Sequence, residues 1–326
     1  MDKVNWGIIG AGDVTEKKSG PALYKIEHSA LIAVMRRDEE KVKDYARRHN
    51  VQKYYTDADQ LIHDTDVNMI YVATPPDSHK EYAIKALQSG KPVYVEKPMA
   101  MNYFECIEMV DAAEKAGQKL FVAYYRRALP YFLKVKELLD NDAIGKILTV
   151  ELRFFRPPSP TDLDKDKQTW RVKKEIAGEG YFFDLAPHTL DILDFLLGEI
   201  VEAKGFPDNR GGLYEVADTI LCLLKFNSGV TGTGQWCFVA PQGMNEDSIR
   251  ITGTKGTILF NTFAFQPIQL MNESGTQEFS PEQPEHIQQP LIQTIVDELR
   301  GVGECPSTGV SGARTSKVMD WIFGKL

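Results

Sequence analysis

A lysine just past an apolar run, and an aspartate and histidine four positions apart in another, are the residue types that alcohol–ketone chemistry needs. The run Pro92-Val93-Tyr94-Val95-Glu96-Lys97-Pro98 presents Lys97 at the end of a strand-like stretch. An ammonium there can stabilise negative charge developing on a substrate oxygen. In Asp184-Leu185-Ala186-Pro187-His188 the i, i+4 spacing puts both polar side chains on one face of a helix. Pro187 suits a first helical turn better than an interior, so Asp184 is expected just ahead of the helix. His188 has the intrinsic pKa of a general base, and Asp184 is expected to orient it. Lys97, Asp184 and His188 are the predicted catalytic set. Singly, each also reads as a turn lysine or a satisfied polar pair, so a nucleotide motif in the same chain decides between the readings.

That motif opens the chain. Gly7-Ile8-Ile9-Gly10-Ala11-Gly12 follows the strand pattern from Val4. In a dinucleotide fold, the first glycine makes the tight turn and the second lets the backbone approach the pyrophosphate. Gly10, Gly12, Asp13 and Val14 are therefore expected at the cofactor. Thr15 stands where a third small residue is expected. The second strand ends Val34-Met35-Arg36-Arg37-Asp38, so Arg36 occupies the place of the acid that usually takes the ribose 2′-hydroxyl. Arg36 and Arg37 suit a 2′-phosphate instead, and NADP is expected ahead of NAD. Thr74, Pro75, Pro76 and His79 follow another strand end and belong to the predicted cofactor set, together with Glu96 and Lys97.

The elements around these residues divide the chain in two. From Val4 to Ala123, strand and helix patterns alternate, which means a parallel sheet with helices on both faces. After Tyr124 the rhythm changes. A helix near Tyr131–Leu139, a strand at Ile147–Phe155 and a helix to Leu197 precede a series of short strands reaching Met271. Turns such as Phe226-Asn227-Ser228-Gly229 join some of them, predicting a largely antiparallel sheet. The expected fold is α/β: a doubly wound Rossmann domain over residues 1–123, and an α/β domain with a large open sheet over 124–326.

Composition agrees with two folded domains. The chain has 326 residues, 43% of them hydrophobic, and a net charge of −8 that argues against nucleic acid and anionic membranes as partners. Cys106, Cys222, Cys237 and Cys305 show no CxxC spacing, so neither a disulfide frame nor a metal site is expected. No apolar stretch approaches the roughly 18 residues that span a bilayer, and no signal-peptide pattern is present. A cytoplasmic location is expected.

With these motifs in order, the chain resembles the glucose–fructose oxidoreductase/inositol dehydrogenase (Gfo/Idh/MocA) family along essentially its whole length. The resemblance is carried by Gly7–Gly12, Ala73-Thr74-Pro75, Glu96-Lys97-Pro98, Tyr125-Arg126-Arg127, Trp170-Arg171 and Gly178-Glu179-Gly180 leading to Asp184 and His188. Glu179 replaces the usual middle glycine of that last motif. The resemblance implies a nicotinamide near Lys97 and His188, a loop with Trp170 and Arg171 approaching the cofactor, and a cis bond before Pro98. Arg126, Arg127, Trp170 and Trp236 are expected around the substrate. The family's exposed sheet face implies a homodimer or homotetramer.

The expected activity is hydride transfer between a nicotinamide cofactor and a secondary alcohol or ketone of a sugar, cyclitol or related diol. Two further readings accompany it. One is glycoside cleavage by transient oxidation with the cofactor retained. The other is a non-catalytic nucleotide sensor, which would need none of Lys97, Asp184 and His188.

Overall fold

The structure, a computed structural model, describes residues 1–326. Its first half runs β1 (Val4–Ile9), α1 (Asp13–Lys17), α2 (Ala22–Lys25), β2 (Ser29–Met35), α3 (Glu39–Arg48), β3 (Lys53–Tyr55), α4 (Ala58–Ile62), β4 (Met69–Val72), α5 (His79–Gln88), β5 (Val93–Val95), α6 (Tyr103–Ala116) and β6 (Leu120–Val122). The remainder runs α7 (Pro130–Asp140), β7 (Ile147–Phe155), α8 (Lys174–Ala177), α9 (Tyr181–Leu197), β8 (Ile200–Asp208), β9 (Thr219–Phe226), β10 (Thr231–Cys237), β11 (Glu246–Gly253), β12 (Gly256–Phe260), β13 (Ile268–Asn272), β14 (Gly275–Phe279), α10 (Gln289–Arg300) and α11 (Gly309–Ile322).

Two compact units emerge. The first comprises residues 1–129 and 284–313, the second 130–283 and 314–326. The sequence reading gave everything after 123 to the second, but residues 284–313 fold with the first. Ser307 shows why. Its hydroxyl donates to Val122 O at 2.7 Å, and Val122 N donates to Ser307 O at 3.3 Å. The edge of β6 needs those partners, and the returning segment supplies them.

In the first unit, six parallel strands lie in the order β3-β2-β1-β4-β5-β6. β4 and β5 are buried along their whole lengths because helices cover both faces. Asp38 and Asn102 cap α3 and α6, accepting from Lys41 N and Glu105 N, which sets where those helices begin. Gly117, at φ +62°, ends α6 in the left-handed conformation. β3 and α4 are too short to leave a period in the sequence.

The second unit is built on an eight-stranded sheet in the order β14-β13-β12-β11-β7-β10-β9-β8. Its pairs are antiparallel except β7 with β10. β9 alternates, burying Ile220, Cys222 and Leu224 and exposing Leu221 and Leu223, so one face is core and the other open. The long apolar helix α9 buries Phe182 against Trp236, ring centroids 4.9 Å apart. The edge strands β8 and β14 were not predicted. β8 contains Gly205 and Pro207, and β14 is polar throughout apart from Phe279, so neither shows the apolar alternation of a half-buried strand.

Candidate functional site

The first unit carries a cleft of about 440 Å³ at the carboxyl ends of β1, β2 and β4. It is lined by Gly10–Gly12, Met35–Asp38, Ala73–Pro75, Asp77, Ser78 and Tyr82. In this strand order the direction of winding reverses between β1 and β4, where open α/β sheets bind ligands.

The glycine turn is built to approach a ligand. Gly10 has φ +95°, and a Cβ there would lie 2.8 Å from backbone atoms of Ala73 and Thr74. A Cβ at Gly12 would meet nothing nearer than Gly10 O at 3.8 Å. The protein's own packing therefore does not demand glycine there, and the bare backbone leaves room for a ligand to lie against it. Thr15, the departure from the glycine pattern, braces the turn. Its hydroxyl accepts from Gly12 N at 3.1 Å and donates to Gly12 O at 2.8 Å. A nucleotide fits this cradle in size and backbone clearance.

Arg36 and Arg37 both line the cleft. Arg36 Nη1 donates to Ala11 O at 3.2 Å, tying the β2 end to the glycine turn. Asp38, the acid that follows them in the chain, has its carboxylate on Lys41, with Nζ 2.9 Å away, and hydrogen bonding to Lys41 holds its pKa below the ordinary value. The wall under the predicted ribose is thus cationic. Asp13, Val14, Pro76 and His79, also assigned to the cofactor, are not on the cleft's lining. His79 is wholly buried beneath it. Tyr82, Asp77 and Ser78 line it but were not predicted. Tyr82 sits one helical turn after His79, the only signal that could have found it.

Glu96 and Lys97 follow β5. Glu96 is buried, accepting from Tyr71 Oη at 2.7 Å and Gln288 Nε2 at 2.8 Å, with Lys97 N 3.2 Å from its other oxygen. Burial, then the Glu96 charge, pushes the Tyr71 phenol well above its ordinary pKa, keeping it a donor. Glu96 is a buried anchor behind Lys97. Lys97 itself is half-buried, and the Lys97–Pro98 peptide is cis. Arg126 and Arg127, expected around a substrate, are also buried, with Arg127 Nη1 donating to Pro306 O at 3.2 Å.

In the second unit, Asp184 and His188 both lie on α9. Asp184 is in the first turn, not ahead of the helix as expected, and Pro187 is inside it. Gly178 and Gly180, at φ +63° and +67°, turn the chain into α9. A Cβ on Gly180 would lie 2.4 Å from Val216 Cγ2. Glu179 between them is accommodated by Lys325, whose Nζ lies 3.0 Å from Oε1. Asp184 Oδ2 accepts from Arg171 Nε at 3.0 Å, and the Arg171 guanidinium lies over Trp170, 4.6 Å from the ring centroid. The structure therefore gives Arg171 to Asp184, a link absent from the sequence reading. His188 is 5% exposed, its ring edge-on to Phe263 at 5.7 Å. Phe263 sits on a loop whose backbone amides at Thr262, Phe263 and Ala264 all donate to the Asp247 carboxylate. Trp236, expected at the substrate, is instead a core residue, 1% exposed on the covered face of the sheet.

Comparison with known proteins decides the family. Residues 4–124 match the model of an oxidoreductase family with an NAD-binding Rossmann fold, and 132–259 match the Gfo/Idh/MocA C-terminal domain. The chain belongs to the Gfo/Idh/MocA oxidoreductase family. A Gfo/Idh/MocA relative from Formosa agariphila, "Oxidoreductase P35", is 39% identical over 99% of both chains. The 1,5-anhydro-D-fructose reductase of Ensifer adhaerens is 26% identical, over 94% of this chain and 91% of its own. The crystal structure of an aldose–aldose oxidoreductase from Caulobacter crescentus, complexed with glycerol, superposes with a TM-score of 0.87 at 25% identity. It covers 99% of this chain and 97% of that one. As a Gfo/Idh/MocA member, the chain is an NAD(P)-dependent dehydrogenase or reductase. None of its helices is long and apolar enough to cross a membrane, and its four cysteines are free thiols.

Proposed function

We propose that this protein transfers a hydride between NADP(H) and a secondary alcohol or ketone of a sugar, cyclitol or related diol. One observation carries the cofactor choice. Two arginines line the cleft where an NAD-preferring fold places an acid, and Asp38, which follows them in the chain, is paired with Lys41. Guanidinium groups bind phosphate oxygens in bidentate fashion, and a 2′-phosphate offers them. The names of the relatives, an anhydrofructose reductase and an aldose–aldose oxidoreductase, support carbohydrate chemistry.

The bound nicotinamide supplies a hydride acceptor or donor. In oxidation, His188 takes the hydroxyl proton while the carbinol hydrogen leaves as hydride; in reduction it returns that proton. Lys97 donates a hydrogen bond to the reacting oxygen and stabilises its alkoxide character. Asp184, braced by Arg171, orients His188 from the same helix. The exposed sheet face bearing Phe206, Leu221 and Leu223 suits a homodimer or homotetramer, and free thiols suit a reducing, cytoplasmic compartment.

Fluorescence titration with NADPH and NADH, followed by a screen of sugars and polyols with each cofactor, tests the proposal. Tighter NADPH binding and cofactor reduction by at least one polyol are expected. Equal affinities would remove the NADP assignment. A free sugar released without net cofactor reduction would replace dehydrogenation with cofactor-retaining glycoside cleavage, and cofactor binding with no turnover on any compound would leave a sensor.

A further inference from the structure

Beneath the nucleotide cleft, His79 occupies the first position of α5 with no solvent exposure. Its Nε2 lies 2.7 Å from Thr74 O, and its Nδ1 lies 3.0 Å from Pro98 O. Thr74 belongs to the turn that lines the cleft after β4. Pro98 follows Lys97 in the loop after β5. These loops leave neighbouring strands, and Glu96 N to Val72 O, at 2.9 Å, is where backbone pairing between them ends. Beyond that bond, side chains must set the spacing of the loops. The His79 ring spans it.

A buried histidine is most often a satisfied core residue, and His79 has two features beyond that. Both its partners are main-chain carbonyls, so the ring fixes backbone rather than another side chain. The two carbonyls also belong to different functional loops, one at the cofactor and one at Lys97. Both contacts are met together only by the doubly protonated ring; the neutral ring donates to one carbonyl. Burial pushes its pKa below the ordinary value, against backbone hydrogen bonding at Thr74, Pro98 and Met99 and the nearby Glu96 carboxylate. Either form retains at least one donated bond. A second clamp acts on the same turn, where Ser78 Oγ lies 2.8 Å from Thr74 Oγ1 and donates to Pro75 O at 3.0 Å.

We propose that His79 is a positioning residue that holds the cofactor-lining turn at Thr74 in register with the loop carrying Lys97. It touches neither cofactor nor substrate; it acts through Thr74 and Pro98. The inference rests on the reading of Lys97 as donor to the reacting oxygen, because only then does loop register govern the chemical step. Misplacing a reacting group by about 1 Å costs on the order of 10²-fold in rate.

His79→Phe keeps a buried ring and removes both ring nitrogens, and His79→Gln keeps a donor. We expect NADPH dissociation constants, titrated on the apoprotein, to rise roughly tenfold for His79→Phe and less for His79→Gln. We expect kcat per folded, cofactor-saturated enzyme to fall on the order of 10²-fold for His79→Phe. The primary deuterium isotope effect on kcat should rise in both variants as hydride transfer becomes limiting. A merely structural role would change the folded fraction and leave affinity and isotope effect at parent values, and that result overturns the proposal. If His79→Phe folds poorly, the same measurements on His79→Gln decide. If the parent oxidises no polyol, the assigned activity fails, while the affinity arm still judges the link from His79 to the cofactor turn.

Discussion

Gln288 donates through Nε2 to Glu96 Oε1 at 2.8 Å, joining residues 192 positions apart in the chain. Its own Oε1 accepts from Tyr94 Oη at 2.8 Å, and its backbone N donates to Lys18 O at 3.2 Å. A buried carboxylate needs such donors to stay charged at low cost. The amide of a residue far along the chain thus completes the anchor directly behind Lys97. Replacing Gln288 by Leu removes a donor from the buried carboxylate and leaves the Tyr94 hydroxyl without its acceptor. We expect a loss of about 1–3 kcal/mol in stability, read by denaturant unfolding. Parent stability in that variant would show Glu96 to be satisfied by Tyr71 Oη and Lys97 N.

The cofactor selector is tested at Arg36 and Arg37. Replacing both by alanine should weaken NADPH binding far more than NADH binding, because only the former offers a 2′-phosphate. Two charge-assisted contacts at about 1.5–3 kcal/mol each set the scale, so the preference should fall by at least tenfold. The Arg36 bond to Ala11 O means that variant also loosens the glycine turn. Arg37→Ala alone therefore gives the cleaner number.

The proton and the oxyanion are separable. His188→Ala should lose about 10²–10⁴-fold in kcat with little change in cofactor affinity. Lys97→Met and Lys97→Arg should both lose most of the turnover, since the planar guanidinium misplaces the donor. An active Lys97→Met variant would return this residue to a structural role. Steady-state kinetics and cofactor titration on the same preparations provide both readings.

Trp236→Ala should act on folding, not on substrate. The indole is packed beside Phe182 in the second unit, and truncating a buried tryptophan costs about 3–5 kcal/mol. Thermal unfolding should register that loss, while KM for any accepted substrate stays near the parent value in the folded fraction.

Glu16 gives a pH signature. Hydrogen bonding to Arg48, whose Nη2 lies 2.6 Å away, lowers its pKa from 4.5 to about 2, with burial opposing and His49 assisting. A carboxyl held below its unfolded value stabilises the fold above that value. Its contribution is complete above about pH 4.5 and disappears as the pH falls through about 2. Glu16→Gln should therefore cost about 1 kcal/mol at pH 7, after allowance for solvent screening. The gap between variant and parent should close across that acidic window, as measured by urea unfolding at several pH values.

What could be read directly was local. The glycine turn follows a strand because Gly10 needs a positive φ, and that need is visible in one residue. Strand–helix alternation over the first 123 residues has a period, so the parallel sheet was legible. Glu96-Lys97-Pro98 and the Asp184–His188 spacing marked their elements because each motif is contiguous.

Pairings between distant segments leave no period and were decided by the tertiary structure. Residues 284–313 return to the first unit because β6 needed an edge partner and Glu96 a donor, and neither need is written near Gln288. Arg171 reached Asp184 through a loop with no repeating pattern. Trp236 reads equally as a core or a substrate residue in the sequence, because aromatic side chains suit both cores and sugar sites. Which face of β10 is covered depends on α9 packing against it, through Phe182. Sequence by itself determined the local elements and the chemistry they display; burial, register and long-range partners, which depend on what lies across space, only the folded chain decided.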